Sequence, residues 1–184
     1  MGIVATSLMT FEEFERLPEH EGVGKLELLE GEVFRLPIPE LVHSLLAHKI
    51  FGPLHGAETS GVCWELGSVF MGVGYKLPGH SFVRPDVSVT HAAQTHAKYL
   101  HDAPALAVEV IAPRNTAREM EKKLALYFQH GAREVWRVYR NPLHIVVHLP
   151  DRTSRTVLAG SLTTPLLPSF ELRLADLEAL IKRS

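Results

Sequence analysis

The stretch Val83–Tyr127, VRPDVSVTHAAQTHAKYLHDAPALAVEVIAPRNTAREMEKKLALY, decides how the rest of the chain is read. It holds two apolar strand-like runs with one acid apiece, Asp86 in RPDVSV and Glu109 in ALAVEVIA. A helix-like run follows, with Lys122 and Lys123 at its centre. An acid inside LAVEV is costly, because burying an unpaired carboxylate loses several kcal/mol, so a partner or a metal is expected. Two such acids on neighbouring strands suit a hard cation, since Mg²⁺ is held by one or two carboxylates plus waters. A lysine beside them completes a set able to cleave a phosphodiester.

Helix geometry separates the two lysines. At about 100° per residue with Met120 at zero, Leu124, Leu126, Tyr127 and Phe128 mark an apolar arc from about 240° through zero to about 80°. Lys123 falls near about 300°, inside the arc, and Lys122 near about 200°, outside it. A lysine in a buried arc needs an anionic partner, and the acid pair is the obvious one.

Four pieces stand in order: LELLEGEV (Leu26–Val33), RPDVSV, ALAVEVIAP and KLALYFQHGAREVW (Lys123–Trp136). Each alone is weak, but the ordered set resembles the PD-(D/E)XK nuclease superfamily, in particular its bacterial restriction-endonuclease branch. The resemblance runs from the helix at Thr10 to the strand at Trp136. It implies a restriction-endonuclease-like mixed sheet flanked by helices, and Mg²⁺- or Mn²⁺-dependent hydrolysis of DNA. It implies Asp86 and Glu109 as metal ligands with the Val110 carbonyl beside them, Lys123 as the catalytic lysine and Glu27 as a further catalytic acid. Two departures stand out. Ile111 occupies the place two residues after Glu109 where E-x-K has its lysine, which points to a lysine moved onto the following helix. In VYRN (Val138–Asn141) the branch's aspartate before the turn is missing. His43 matches a recurrent histidine of the branch, but reads as a helix-surface residue without a catalytic role. Glu27, on the opposite strand face from Leu26 and Leu28, reads from the pattern alone as solvent-facing.

At 184 residues and 46% hydrophobic, the chain is read as one domain over 1–184, long enough to bury about two-thirds of its surface. No apolar run approaches the roughly 20 residues of a membrane helix. The N-terminal MGIVATSLMTFEEF lacks the basic region of a signal peptide, and Cys63 as the sole cysteine fits a reducing cytoplasm. The net charge is −2, yet Pro113–Arg140 carries seven basic residues against three acids, leaving −6 for the rest. Such a basic side suits a polyanion, or is merely a solvated helix face. A homodimer suits a duplex cut, which takes two active sites.

In chain order, Thr10–Glu13 reads as a capping box and KLELL–EG–EVFRL as a hairpin. A loop over Glu21–Gly24 precedes the hairpin, and Pro37 and Pro39 end it. A helix from about Glu40 should stop or kink at Pro53 or Gly56. VCWEL, SVFMGVGYKL and FVRPDVSVT read as strands, and ALAVEVIA as a central strand covered on both faces. Ala117–His130 is helical, REVWRVY and LHIVVHL are strands, and a Pro-rich loop leads to a short helix near Ala175–Lys182. The order specifies an α/β or α+β fold with an N-terminal hairpin. His91, His96 and His101 recur at a spacing that does not stack on one helix face, so they make no zinc motif. The rival to the enzyme is a non-cleaving nucleic-acid or protein interaction module on the same fold, with Asp86, Glu109 and Lys123 as a buried ion network.

Overall fold

The hairpin is where the architecture begins. Strand β1 (Leu26–Leu29) pairs antiparallel with β2 (Glu32–Arg35) across a turn whose Glu30 and Gly31 both have positive φ, 52° and 81°. Two residues with φ > 0 match the right-handed twist of the flanking strands, and Gly31 has no Cβ to strain there. The computed structural model describes residues 8–18, 25–36, 38–59 and 65–182. The expectations for the N-terminal residues 1–7, the Glu21–Gly24 loop, Pro37, Cys63 and the VCW part of VCWEL lie outside the described residues.

Before the hairpin, Thr10 caps α1 (Phe11–Glu15) through the reciprocal Thr10–Glu13 box. Phe11 and Phe14 of this helix pack on Leu28 and Phe82. After the hairpin comes α2 (Leu41–Thr59), which runs through Pro53 instead of ending there. Proline removes one backbone hydrogen bond, a cost of about 3 kcal/mol. Leu46, Ile50 and Leu54, at four-residue spacing and fully buried, supply the packing that offsets it.

Two of the segments read as strands are each broken in two. SVFMGVGYKL divides into β3 (Leu66–Met71) and β4 (Tyr75–Leu77) at Gly72–Gly74. FVRPDVSVT divides into β5 (Ser81–Val83) and β6 (Val87–His91) at Arg84-Pro85-Asp86. With β7 (Leu100–His101), β8 (Leu106–Val110) and β9 (Glu134–Arg140), these strands fall into two mixed sheets. One has five strands in the order β2-β1-β5-β4-β7. The other has six, in which β10 (Leu143–His148) and β11 (Ser154–Val157) extend the order to β11-β10-β9-β8-β6-β3. The chain crosses between the sheets at both breaks, and the crossings touch where the Gly72 N–H donates to the Asp86 carbonyl at 3.2 Å. Pro85 lacks an N–H for a ladder, which explains a crossing there.

The long helix α3 (Ala117–Gln129) covers one face of β8 and β9, joining Leu126 and Tyr127 to Ala107, Val135 and Leu29 in one apolar cluster. Helices α2 and α4 (Leu174–Ile181) cover the other face, with Leu106, Val108, Trp136 and Val138. The stretch read as a Pro-rich loop is instead a hairpin, β12 (Ser161–Thr164) and β13 (Leu167–Arg173). It is held by the buried Thr164 hydroxyl donating to Glu134 at 2.8 Å. No described helix is long and apolar enough to cross a membrane.

Candidate active site

Strand alternation and one helix face bring the site together. In β8, Leu106, Val108 and Val110 face the α2 side, so Ala107 and Glu109 face α3. In β1, Leu28 packs with Phe11 and Phe14, so Glu27 and Leu29 turn the other way, again toward α3. The pattern placed Glu27 opposite Leu26 and Leu28 correctly, but that face is covered by α3 and Glu27 is 0% exposed. The solvent-facing reading of Glu27 is therefore corrected.

On α3, Thr116 caps the first turn by accepting the Glu119 N–H at 3.2 Å. Capping fixes the helix start and sets Glu119, Lys123 and Tyr127 at four-residue steps along the buried face. Lys123 Nζ stands 2.7 Å from Glu109 Oε1 and 3.0 Å from Glu27 Oε1. One ammonium thus bridges an acid from each sheet. The Tyr127 hydroxyl donates to the same Glu109 oxygen at 2.6 Å. Glu27 Oε1 also accepts the Arg84 N–H at 2.7 Å, while its Oε2 is buried without a hydrogen bond.

Asp86 sits at the sheet crossing, just ahead of β6, with its backbone N–H on the Val108 carbonyl of β8 at 3.1 Å. Its Oδ2 accepts the Val110 N–H at 2.8 Å, and its Oδ1 meets His43 Nε2 of α2 at 3.0 Å. His43 is thus no plain surface histidine; it reaches the acid across 43 residues of chain. Asp86, Glu109, Val110, Lys123, His43 and Glu119 line a single cavity of about 560 Å³. Glu27 stands behind Lys123 and not on that wall. Both acids are recessed, with side chains 16% exposed.

The electrostatics follow from counting charges. Burial first, then repulsion from Glu27 and Asp86, pushes the Glu109 carboxyl up to about 7 despite the opposing pull of Lys123. Burial likewise raises Glu27. Burial alone would depress Lys123, but the Glu109 and Glu27 carboxylates override it and hold the lysine above its usual range. The lysine is therefore firmly charged, yet one cation cannot neutralise two desolvated acids.

The donors fit a hard divalent ion. No three His, Cys, Asp or Glu side chains converge as a ready-made cage among the described residues. Two carboxylates and the Val110 residue on one cavity wall, with both contacts of Glu109 falling on Oε1, are the sparse oxygen set that Mg²⁺ completes with water.

The basic stretch Pro113–Arg140 fares differently. Arg118 and Lys122 are tied to Glu32, Arg133 to Glu65, Arg137 to Glu121 and Arg140 to Glu40. Of these partners, Glu32, Glu40 and Glu65 come from elsewhere in the chain and Glu121 from the stretch itself. Lys122, expected to project outward, instead also meets Glu30 at 3.4 Å and pins α3 to the hairpin turn.

Sequence reading missed three residues of the site. Tyr127 and Glu119 were detectable, because each is four residues from Lys123. His43 stood out by its match to a recurrent histidine, but its contact with Asp86 carried no local signal, since that partner comes from another element.

The structure is similar to the crystal structure of a putative nuclease belonging to DUF820 from Anabaena variabilis, with a TM-score of 0.81 at 20% identity, covering 94% of this chain and 99% of that one. No curated protein matches the chain. The family model of Uma2, described as "Putative restriction endonuclease", matches residues 11–176, and the chain belongs to that family.

Proposed function

We propose that the protein is a Mg²⁺- or Mn²⁺-dependent nuclease that hydrolyses phosphodiester bonds in DNA. The observation that carries the reading is the convergence of Asp86, Glu109 and Lys123 on one recessed cavity, with the lysine 2.7 Å from Glu109. Asp86, Glu109 and the Val110 carbonyl would hold the metal. Bound there, the metal would polarise a phosphoryl oxygen and lower the pKa of a water.

The side chains account for the rest of the chemistry. Lys123 remains protonated between its two acids, so it acts as a hydrogen-bond donor and fixed positive charge, never as a base. Its charge offsets the negative charge that grows on the phosphoryl group as water adds to phosphorus and the P–O ester bond breaks. Glu27, out of reach of the cavity, positions Lys123 from behind. The test is incubation of supercoiled plasmid and single-stranded DNA with Mg²⁺, Mn²⁺ or EDTA. Cleavage with either metal and none with EDTA is expected; intact DNA under all three conditions would favour the non-cleaving module. That second reading is supported by the Glu27–Lys123–Glu109 network, in which one buried lysine contacts both acids.

Tyr127 acts on the same acid as a positioning residue. Its hydroxyl and Lys123 both hold Oε1, which fixes the direction of the carboxylate. Groups that orient a metal ligand are commonly worth about 10–100-fold in affinity or activity. Tyr127→Phe keeps the buried ring and should weaken Mn²⁺ binding by about that factor, measured by calorimetry, with little change in fold. Equal Mn²⁺ affinity in the two proteins would reduce Tyr127 to a packing residue.

A further inference from the structure

Most cations of this protein already have acids. Six lysines and arginines face the cavity against four carboxylates, although the chain as a whole is −2. Three of these cations are already engaged: Arg140 by Glu40 at 2.6 Å, Lys123 by its two acids, and Arg84 over the Phe82 ring at 5.9 Å. Lys25, Arg35 and Arg114 make no ion pair among the described residues, yet all three turn to the same cavity as Asp86 and Glu109. Their origin in the fold is specific. Lys25 immediately precedes β1 and Arg35 ends β2. The Leu36 N–H donates to the Lys25 carbonyl at 2.8 Å, so both sit at the open end of the hairpin, away from its Glu30–Gly31 turn. Arg114 comes from the β8–α3 loop, on the six-stranded sheet's side of the site.

We propose that Lys25, Arg35 and Arg114 form a phosphate clamp that holds a nucleic-acid strand on either side of the bond to be cut. The proposal rests on the nuclease reading and names the residues that bind its substrate. Lys25, Arg35 and Arg114 add three positive charges to the lining of one cavity, and a strand of phosphates offers an anion to each of them. The clamp draws on the hairpin and on the β8–α3 loop. It therefore fastens the strand to both sheets, the same two that Lys123 bridges through Glu27 and Glu109. It also moves the polyanion contact away from the α3 surface, where Arg118 and Lys122 are engaged by Glu32. The three residues touch phosphate and not base edges, so they hold substrate without reading its sequence.

The experiment measures binding of a fluorescein-labelled oligonucleotide, single-stranded or duplex, to the full chain in EDTA over a range of KCl concentrations. Each phosphate that is no longer neutralised should flatten the plot of log affinity against log salt by about 0.7 for a single strand or about 0.9 for a duplex. Lys25→Ala, Arg35→Ala and Arg114→Ala should each show one such step, and the triple variant about three. Lys49→Ala is the control, because this exposed lysine lies on α2 and does not line the cavity. It should leave the slope at the wild-type value. A triple variant with the wild-type slope, or a Lys49→Ala change equal to the others, overturns the clamp and leaves the nuclease reading standing. A wild-type chain that binds neither oligonucleotide overturns both.

Discussion

Lys123→Met should lower single-turnover cleavage by about 100-fold or more, the scale of losing one preorganised electrostatic stabiliser. The same change should also destabilise the fold. Lys123 is buried between Glu27 and Glu109, and removing one partner of a buried ion pair costs about 3–5 kcal/mol. Here two acids are left without a cation, so the loss should be larger at pH 8, where both are driven to ionise, than at pH 5, where protonation relieves them. Lys122→Met is the internal comparison. Lys122 faces the hairpin acids Glu30 and Glu32 at the surface and does not line the cavity, so cleavage should stay within a few-fold of wild type. Single-turnover assays under one Mn²⁺ and salt condition, with urea melts of both variants at both pH values, check the pair. A loss from Lys122→Met as large as that from Lys123→Met would place the catalytic cation on the wrong helix face.

That contrast shows how much of the site was legible in the sequence. A 3.6-residue period suffices to put Lys123 in the buried arc and Lys122 outside it, because helix geometry is local. An acid inside LAVEV likewise announces itself, since only a paired or ligating carboxylate survives there. Alternation in β1 gave the right face for Glu27, but whether that face meets water or a helix depends on the docking of α3, which no local pattern encodes. The same limit hid the Asp86–His43 contact. Asp86 reads as a strand residue, whereas Pro85 turns the chain from one sheet to the other and leaves the acid at the crossing, in reach of α2. Pro53 and the Pro-rich β12–β13 segment misled for a related reason: tertiary packing outweighed a local penalty. The α+β class and the hairpin came through because they rest on periodicity and turn chemistry.

Asp86→Asn and Glu109→Gln should each abolish Mn²⁺ binding, and cleavage with it, yet make the metal-free protein more stable. The two acids are packed around one cavity, and burial with mutual repulsion lifts Glu109 to about 7. Turning either carboxylate into an amide removes a desolvated charge while keeping its shape. The pH dependence fixes the sign for Glu109. Its folded pKa lies above the ordinary 4.5, so between about pH 4.5 and pH 7 the folded chain holds a proton that the unfolded chain has released. Wild type therefore loses stability from this group as pH rises through that window. Glu109→Gln has no such proton to lose, so its advantage over wild type should be smallest near pH 4.5, grow toward pH 7 and then level off. Urea denaturation of both proteins in EDTA at pH 5, 6, 7 and 8 measures the difference directly, and calorimetric titration at pH 7.5 measures Mn²⁺. If the stability of the Glu109→Gln variant runs parallel to wild type across that range, Lys123 alone neutralises Glu109 in the resting protein. Undiminished Mn²⁺ affinity in both variants would remove the acid pair as the metal site.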